Sequence, residues 1–316
     1  MSWKTEKESG EIPILLPYRE MKTFVQGITG GTKLKHRDII DKMTLEEKAA
    51  FLSGKNVWQT RDYSRLGLPS IFCSDGPHGI RKQAGAGDHL GLNASLPATC
   101  FPTAATVANS WDEQLGEELG EALGEEAAAQ EVNVLLGPGL NMKRSPLCGR
   151  NFEYFSEDPY LAGKMAAAYV KGIQSQGVYA CPKHFAVNSQ ELRRMAMNSV
   201  LDERTLREIY LTGFEIAVKE GKAKSIMTSY NEINGTYANE NKHLLQEILR
   251  KEWGFDGIVI TDWGASNDHG GIQSGNACAG TRFRKGNPAG NQRKDTDGGR
   301  TGRMCGRTSG RGFDIE

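Results

Sequence analysis

The sequence predicts an α/β protein, a (β/α)8 TIM-like barrel in which parallel strands alternate with helices, followed by a disordered tail. Three observations predict it. Long amphipathic segments at 104–130, 158–175, 203–220 and 242–252 alternate with short apolar runs at 132–136, 178–182, 225–229 and 257–261. The run Gly257-Ile-Val-Ile-Thr261 is nearly all apolar, as a strand buried on both faces of a parallel sheet requires. Finally, the apolar runs end in polar residues: Asp75, Asn141 to Arg150, Lys183-His184, Tyr230-Asn231 and Asp262-Trp263. A doubly wound sheet shares the alternation, but five strands delivering polar groups to one rim is the layout of a barrel enzyme.

Residues 1–35 read as a mobile lead-in with a Gly30-Gly31 pair, and residues 36–277 as the patterned domain. A helix is predicted after Thr44, because Thr44-Leu-Glu-Glu47 has capping-box spacing. The first strand is the run Ile71-Phe72-Cys73, stopped by Ser74-Asp75-Gly76-Pro77. The four strand–helix repeats follow. From Cys278 to Glu316, nine of 39 residues are Gly and seven are Arg, with no period of two or 3.6. Such a segment cannot offset its ordering entropy by burial, so disorder is predicted for 278–316.

Composition narrows the function classes. Lys plus Arg (39) equals Asp plus Glu (39), which gives no global field toward nucleic acid or an anionic membrane. No apolar run reaches about 18 residues, the length of a membrane span. The N-terminus lacks the apolar core of a secretory signal, so the cytoplasm is the expected compartment and Asn93-Ala-Ser and Asn234-Gly-Thr are chance glycosylation matches. The six cysteines are scattered, and His78, His89 and His269 have no convergent spacing, so no metal and no cofactor is expected. No GxGxxG follows the first strand and no GxxxxGK[ST] occurs, which removes the usual nucleotide-binding signatures.

Asp262, at the end of the last apolar strand, is the candidate nucleophile. A carboxylate there can attack an anomeric carbon or stabilise an oxocarbenium ion, with neighbouring cations keeping it ionised. It could equally cap the loop that follows. Trp263 offers a face for a sugar ring. Lys183 and His184 supply hydrogen-bond donors and positive charge, or form a structural ion pair and a satisfied core histidine. A Schiff-base lysine is the rival role for Lys183. Arg150 and Arg194 suit bidentate recognition of vicinal hydroxyls. Asp75 accepts hydrogen bonds from two adjacent hydroxyls or forms a turn, and Tyr230 contacts substrate or caps the core.

Seven segments together resemble glycoside hydrolase family 3, in its bacterial β-glucosidase branch. They are MTLEEKAAFLSG (43–54), SDGPHGIR (74–81), GPGLNMKRSPLCGRNFEYFSEDP (137–159), CPKHFAVNSQELRRM (181–195), DERTLREIYLTGFE (202–215), SIMTSYNEING (225–235) and GFDGIVITDWGAS (254–266). The resemblance implies a retaining β-glycosidase acting on terminal β-glucosides by double displacement. It implies Asp262 as nucleophile and Asp75, Arg150, Lys183, His184, Arg194, Tyr230 and Trp263 as sugar-binding residues. The family's β-N-acetylglucosaminidase branch carries KHFPGHG where this chain reads KHFAVNS, which disfavours that variant.

Beyond about residue 277 the chain departs from the family pattern. It reads SGNACAGTRFRKG in place of a GNxLEMP-like final strand. The barrel is therefore expected to be incomplete at its last strand, through a shifted frame or truncated gene. The acid/base glutamate of the family's following domain has no counterpart, and Glu153, Glu157 and Glu191 do not match it. Little activity is then expected, the alternative being a non-catalytic sugar-binding fragment or pseudogene product.

Overall fold

The structure, a computed structural model, describes residues 37–85, 87 and 92–265. The lead-in, the Gly/Arg-rich tail, His89 and His269 lie outside the described residues. Helices α1 (Arg37–Lys42) and α2 (Leu45–Phe51) open the described chain. The predicted capping box is present: Glu47 N donates to Thr44 Oγ1 (3.2 Å) and Thr44 N to Glu47 Oε2 (2.9 Å).

Strand β1 (Cys73–Ser74) is followed by two helices, α3 (Ala104–Ala108) and α4 (Glu113–Ala129), where the pattern predicts one. The break has a local cause. Trp111 takes a left-handed φ of 58°, and Asp112 caps the second helix by accepting from Gln114 N (2.9 Å) and Leu115 N (3.1 Å). Strand β2 (Val134–Leu135), helix α5 (Pro159–Ser175) and strand β3 (Tyr179–Ala180) come next. Helix α5 starts as its sequence dictates, with Asp158 accepting from Leu161 N (2.7 Å) and Pro159 in the first turn.

After β4 (Asn198–Ser199), helix α6 (Glu203–Thr205) runs through a π-helical turn (Leu206–Leu211) into α7 (Thr212–Lys219). The Thr212 hydroxyl donates to both Arg207 O (2.9 Å) and Glu208 O (2.8 Å) at the end of the wider turn. Strand β5 (Ser225–Thr228), the hairpin β6 (Glu232–Ile233) and β7 (Thr236–Tyr237), a π-helical segment (His243–Glu252) and strand β8 (Ile258–Thr261) follow in the described residues. The hairpin turns on Asn234-Gly235, both at positive φ (50° and 83°), and β6 also pairs with β4.

The main strands form one parallel run. β1, β2 and β3 pair in that order, and β5 pairs with β8 from Ser225↔Ile258 to Thr228↔Thr261. Residues 182–185 stitch the two groups together: Lys183 N donates to Pro138 O (2.9 Å) and Phe185 N to Met227 O (2.7 Å). The order is thus β1-β2-β3-β5-β8. It is an open run; the described residues form no closed barrel, because five neighbouring parallel strands fall short of the eight that close one.

Both faces of the run are buried, as the apolar strands predict. Leu135, Ala180, Ile226 and Val259 belong to the core shared with the helices, whereas Val134, Leu136, Cys181, Met227 and Ile260 cluster with Trp58 on the other face. Helices α4 and α5 approach closely through glycine: a Cβ at Gly172 would sit 2.1 Å from Glu117 O, and one at Gly120 2.6 Å from Tyr169 O. Among the described residues, no helix is long and apolar enough to cross a membrane.

Candidate active site

The period of two along a strand explains where the polar residues gather. Cys73, Cys181 and Ile260 all face the Trp58 side. The residues two positions on, Asp75, Lys183 and Asp262, continue toward that side just past the strand ends. Two carboxylates and an amine far apart in sequence are thereby brought near one another.

Lys183 is the hub. It is 3% exposed, with Nζ 2.7 Å from Asp75 Oδ1 and 3.1 Å from Glu153 Oε1. Glu153 is in turn gripped by Arg150 through two bonds, Nε to Oε2 (2.7 Å) and Nη2 to Oε1 (3.0 Å). Burial opposes ionisation of all three groups that pair here, yet the partners win. Asp75 and Glu153 are held below the usual carboxylate range and Lys183 above the usual amine value. A protonated amine locked between two carboxylates is unsuited to attack a carbonyl, which removes the Schiff-base role. The sequence reading gives Glu153 no role in this cluster, although its spacing three residues after Arg150 was the available signal.

His184 is 2% exposed. Its backbone N–H donates to Asn141 Oδ1 (2.7 Å), and Asn141 Nδ2 returns a bond to His184 O (2.8 Å). Its Nδ1 is 3.2 Å from the Tyr154 hydroxyl, and its Nε2 is 3.7 Å from Asp262 Oδ2. Burial, helped by the positive charges of Arg150, Lys183 and Arg194, drives its pKa well down, so the ring is neutral.

The side chain of Asp262 is 13% exposed, and Oδ1 accepts from Trp263 N (2.7 Å). Cations surround it as the sequence anticipates, but burial outweighs them. The carboxyl lies above its ordinary value in spite of the Trp263 N–H and the charges of Arg150, Lys183 and Arg194.

Arg194 pairs with Glu191 (Nη1 to Oε2, 2.8 Å) and lies over the Tyr230 ring, 4.9 Å from its centroid. The Tyr230 hydroxyl donates to Trp263 O (2.7 Å), and burial together with nearby Asp262 raises its pKa. Trp263 is fixed by its indole N–H on Val57 O (2.8 Å) and by Trp58, 5.2 Å away between ring centroids. Trp58 is itself anchored through Nε1 to Gln83 Oε1 (2.7 Å). All eight residues nominated by the sequence thus belong to one connected cluster. Trp58, Gln83, Asn141, Glu153 and Tyr154, which the sequence does not nominate, hold them there.

This arrangement sets neutral and cationic donors around the largely buried carboxyl of Asp262, with an indole beside it. Comparisons with known proteins identify the family. The model of the glycosyl hydrolase family 3 N-terminal domain matches residues 25–279. The chain is 57% identical to a thermostable beta-glucosidase B of Acetivibrio thermocellus over 240 residues, covering 76% of this chain and 32% of that protein. It is 49% identical to an exo-alpha-(1->6)-L-arabinopyranosidase of Bifidobacterium longum over 232 residues, covering 73% of this chain and 31% of the relative. Among solved structures, beta-glucosidase 3B from Thermotoga neapolitana in complex with alpha-D-glucose superposes with a TM-score of 0.73 at 43% identity, over 78% of this chain and 36% of that one. The chain thus spans about a third of the length of these relatives. With most of its length matched by the family's model and by relatives well above 30% identity, it belongs to glycosyl hydrolase family 3 through that family's N-terminal domain.

Proposed function

We propose that residues 36–277 are the nucleophile-bearing barrel of a retaining β-glycosidase of the β-glucosidase type. In this reading Asp262 attacks the anomeric carbon of a terminal β-D-glucosyl residue, and the aglycone leaves with a proton from a second carboxyl group. Water then hydrolyses the glycosyl–enzyme intermediate, with retention of configuration. Asp75 accepts hydrogen bonds from sugar hydroxyls, while Lys183, His184, Arg150 and Arg194 donate to them. Tyr230 and Trp263 shape the wall. The observation that carries the reading is that His184 lies 3.7 Å from the largely buried carboxyl of Asp262, next in the chain to Lys183, which binds Asp75.

The nearby carboxylates Asp75, Glu153 and Glu191 are each tied to a cation. A carboxylate so paired is a poor general acid, so none of these three is assigned the acid/base role. The same observation favours the second reading, a barrel that binds sugar without turning it over. Mass spectrometry after incubation with a 2-deoxy-2-fluoro-β-D-glucosyl donor separates the two: an adduct on Asp262 supports the nucleophile. A folded protein that binds glucose yet never forms that adduct supports the binding module and overturns the glycosidase.

A further inference from the structure

The two ring nitrogens of His184 face different neighbours. Nδ1 is 3.2 Å from the Tyr154 hydroxyl, and Nε2 is 3.7 Å from Asp262 Oδ2. Which nitrogen carries the proton decides whether the ring offers a donor or an acceptor beside the Asp262 carboxyl.

Asn188 settles the proton's position. Its side chain is fully buried, with Nδ2 3.2 Å from Glu191 Oε1 and 3.4 Å from the Tyr154 hydroxyl. A carboxylate only accepts, so the amide nitrogen of Asn188 must be the atom facing Glu191. Its second hydrogen is then directed at the Tyr154 oxygen. Arg194 holds Glu191 in place from the other side (2.8 Å). Having accepted from Asn188, Tyr154 has its own hydroxyl proton to give, and Nδ1 of His184 is there to take it. The ring hydrogen is left on Nε2, facing Asp262. The opposite tautomer would set the Nε2 lone pair against a carboxylate oxygen.

We propose that Tyr154 is a positioning residue: oriented by Asn188, it fixes His184 as the Nε2–H tautomer, so that an N–H is presented to Asp262 and to a sugar hydroxyl bound beside it. The tautomer follows from the hydrogen-bond geometry alone, whereas its use rests on the glycosidase reading.

Long-range 1H–15N NMR of the full 316-residue chain, labelled at histidine, reads the tautomer directly. The His184 signals are assigned by their loss in His184→Gln. The wild-type ring is expected to have a protonated Nε2 and a bare Nδ1. In Tyr154→Phe the preference weakens and a measurable share of Nδ1–H appears. Asn188→Asp gives the sharper result. The new carboxyl, sharing a proton with Glu191, can only accept from Tyr154. The hydroxyl must then accept from Nδ1–H, and the tautomer inverts. Labelling of Asp262 by the fluoroglucosyl donor should slow about tenfold in that variant, the equivalent of one hydrogen bond. A protonated Nδ1 in the wild type, or an unchanged Nε2–H tautomer in folded Asn188→Asp, overturns the proposal. The expected tautomers without any labelling of wild-type Asp262 uphold it and count against the glycosidase reading instead.

Discussion

Lys183 and Asp75, separated by 108 residues, meet with Nζ 2.7 Å from Oδ1. The pair joins the end of the first strand to the segment that stitches β3 to β5. Glu153 closes the third corner at 3.1 Å and is itself held by Arg150. The cluster therefore ties the open strand run together at the rim where sugar is proposed to bind, and two of its members are almost wholly buried.

Removing one partner of a buried ion pair strands the others. Glu153→Gln is expected to destabilise the fold by about 3–5 kcal/mol, measured by urea unfolding at neutral pH. A loss below about 1 kcal/mol would mean that Lys183 and Arg150 find other compensation.

The same cluster sets the pH range of stability. Asp75 and Glu153 have depressed pKa values, so their contribution is full above the ordinary carboxylate range and is lost as pH falls through their lowered values. Lys183 has a raised pKa, so its contribution is full below the ordinary lysine value and is lost as pH rises through the raised one. Melting temperatures should fall on both sides of neutrality, and the acid limb should flatten in Asp75→Asn. An unchanged acid limb in that variant would place the titrating groups elsewhere.

Asp262 behaves in the opposite sense. Its pKa is raised in the folded chain, so its charge costs stability at neutral pH, a cost that vanishes below the ordinary carboxylate value. Asp262→Asn should therefore stabilise the protein, by roughly 0.5–2 kcal/mol, while abolishing fluoroglucosyl labelling. Calorimetric melting checks the first outcome, and a lower melting temperature at neutral pH would contradict the burial argument.

Trp58 is not itself a proposed sugar-binding residue but supports Trp263. Trp58→Ala is expected to cost about 3–5 kcal/mol, as for a large aromatic lost from a core. It should also weaken glucose binding, followed by titration calorimetry on the fraction that remains folded. Unaltered glucose affinity in folded Trp58→Ala would show that Trp263 needs no such support.

With Asp75, Glu153 and Glu191 each tied to a cation, leaving-group ability should dominate turnover. General acid catalysis is typically worth about 10²–10⁴-fold, so alkyl glucosides should react weakly or not at all, whereas activated aryl glucosides glycosylate Asp262 slowly. Comparable rates for octyl and dinitrophenyl glucosides would reveal an acid within the chain itself.

Much of this was legible in the residues. The Thr44 capping box, the alternation of strands and helices and the doubly buried strand ending at Thr261 follow from local chemistry and period, which act over a few residues. So does the nomination of Asp262, because a carboxylate after an apolar strand stands out in one dimension. The break at Trp111-Asp112 was hidden inside a long helical pattern, since a capping Asp also fits a helix surface. Only the tertiary structure decided what surrounds Asp262. Glu153, Tyr154, Trp58 and Asn188 acquire their roles from partners tens to hundreds of residues away, and no periodicity encodes such contacts. The balance at Asp262 was likewise beyond the sequence: it could supply the cations but not the depth of burial, and burial is what raises the carboxyl's pKa.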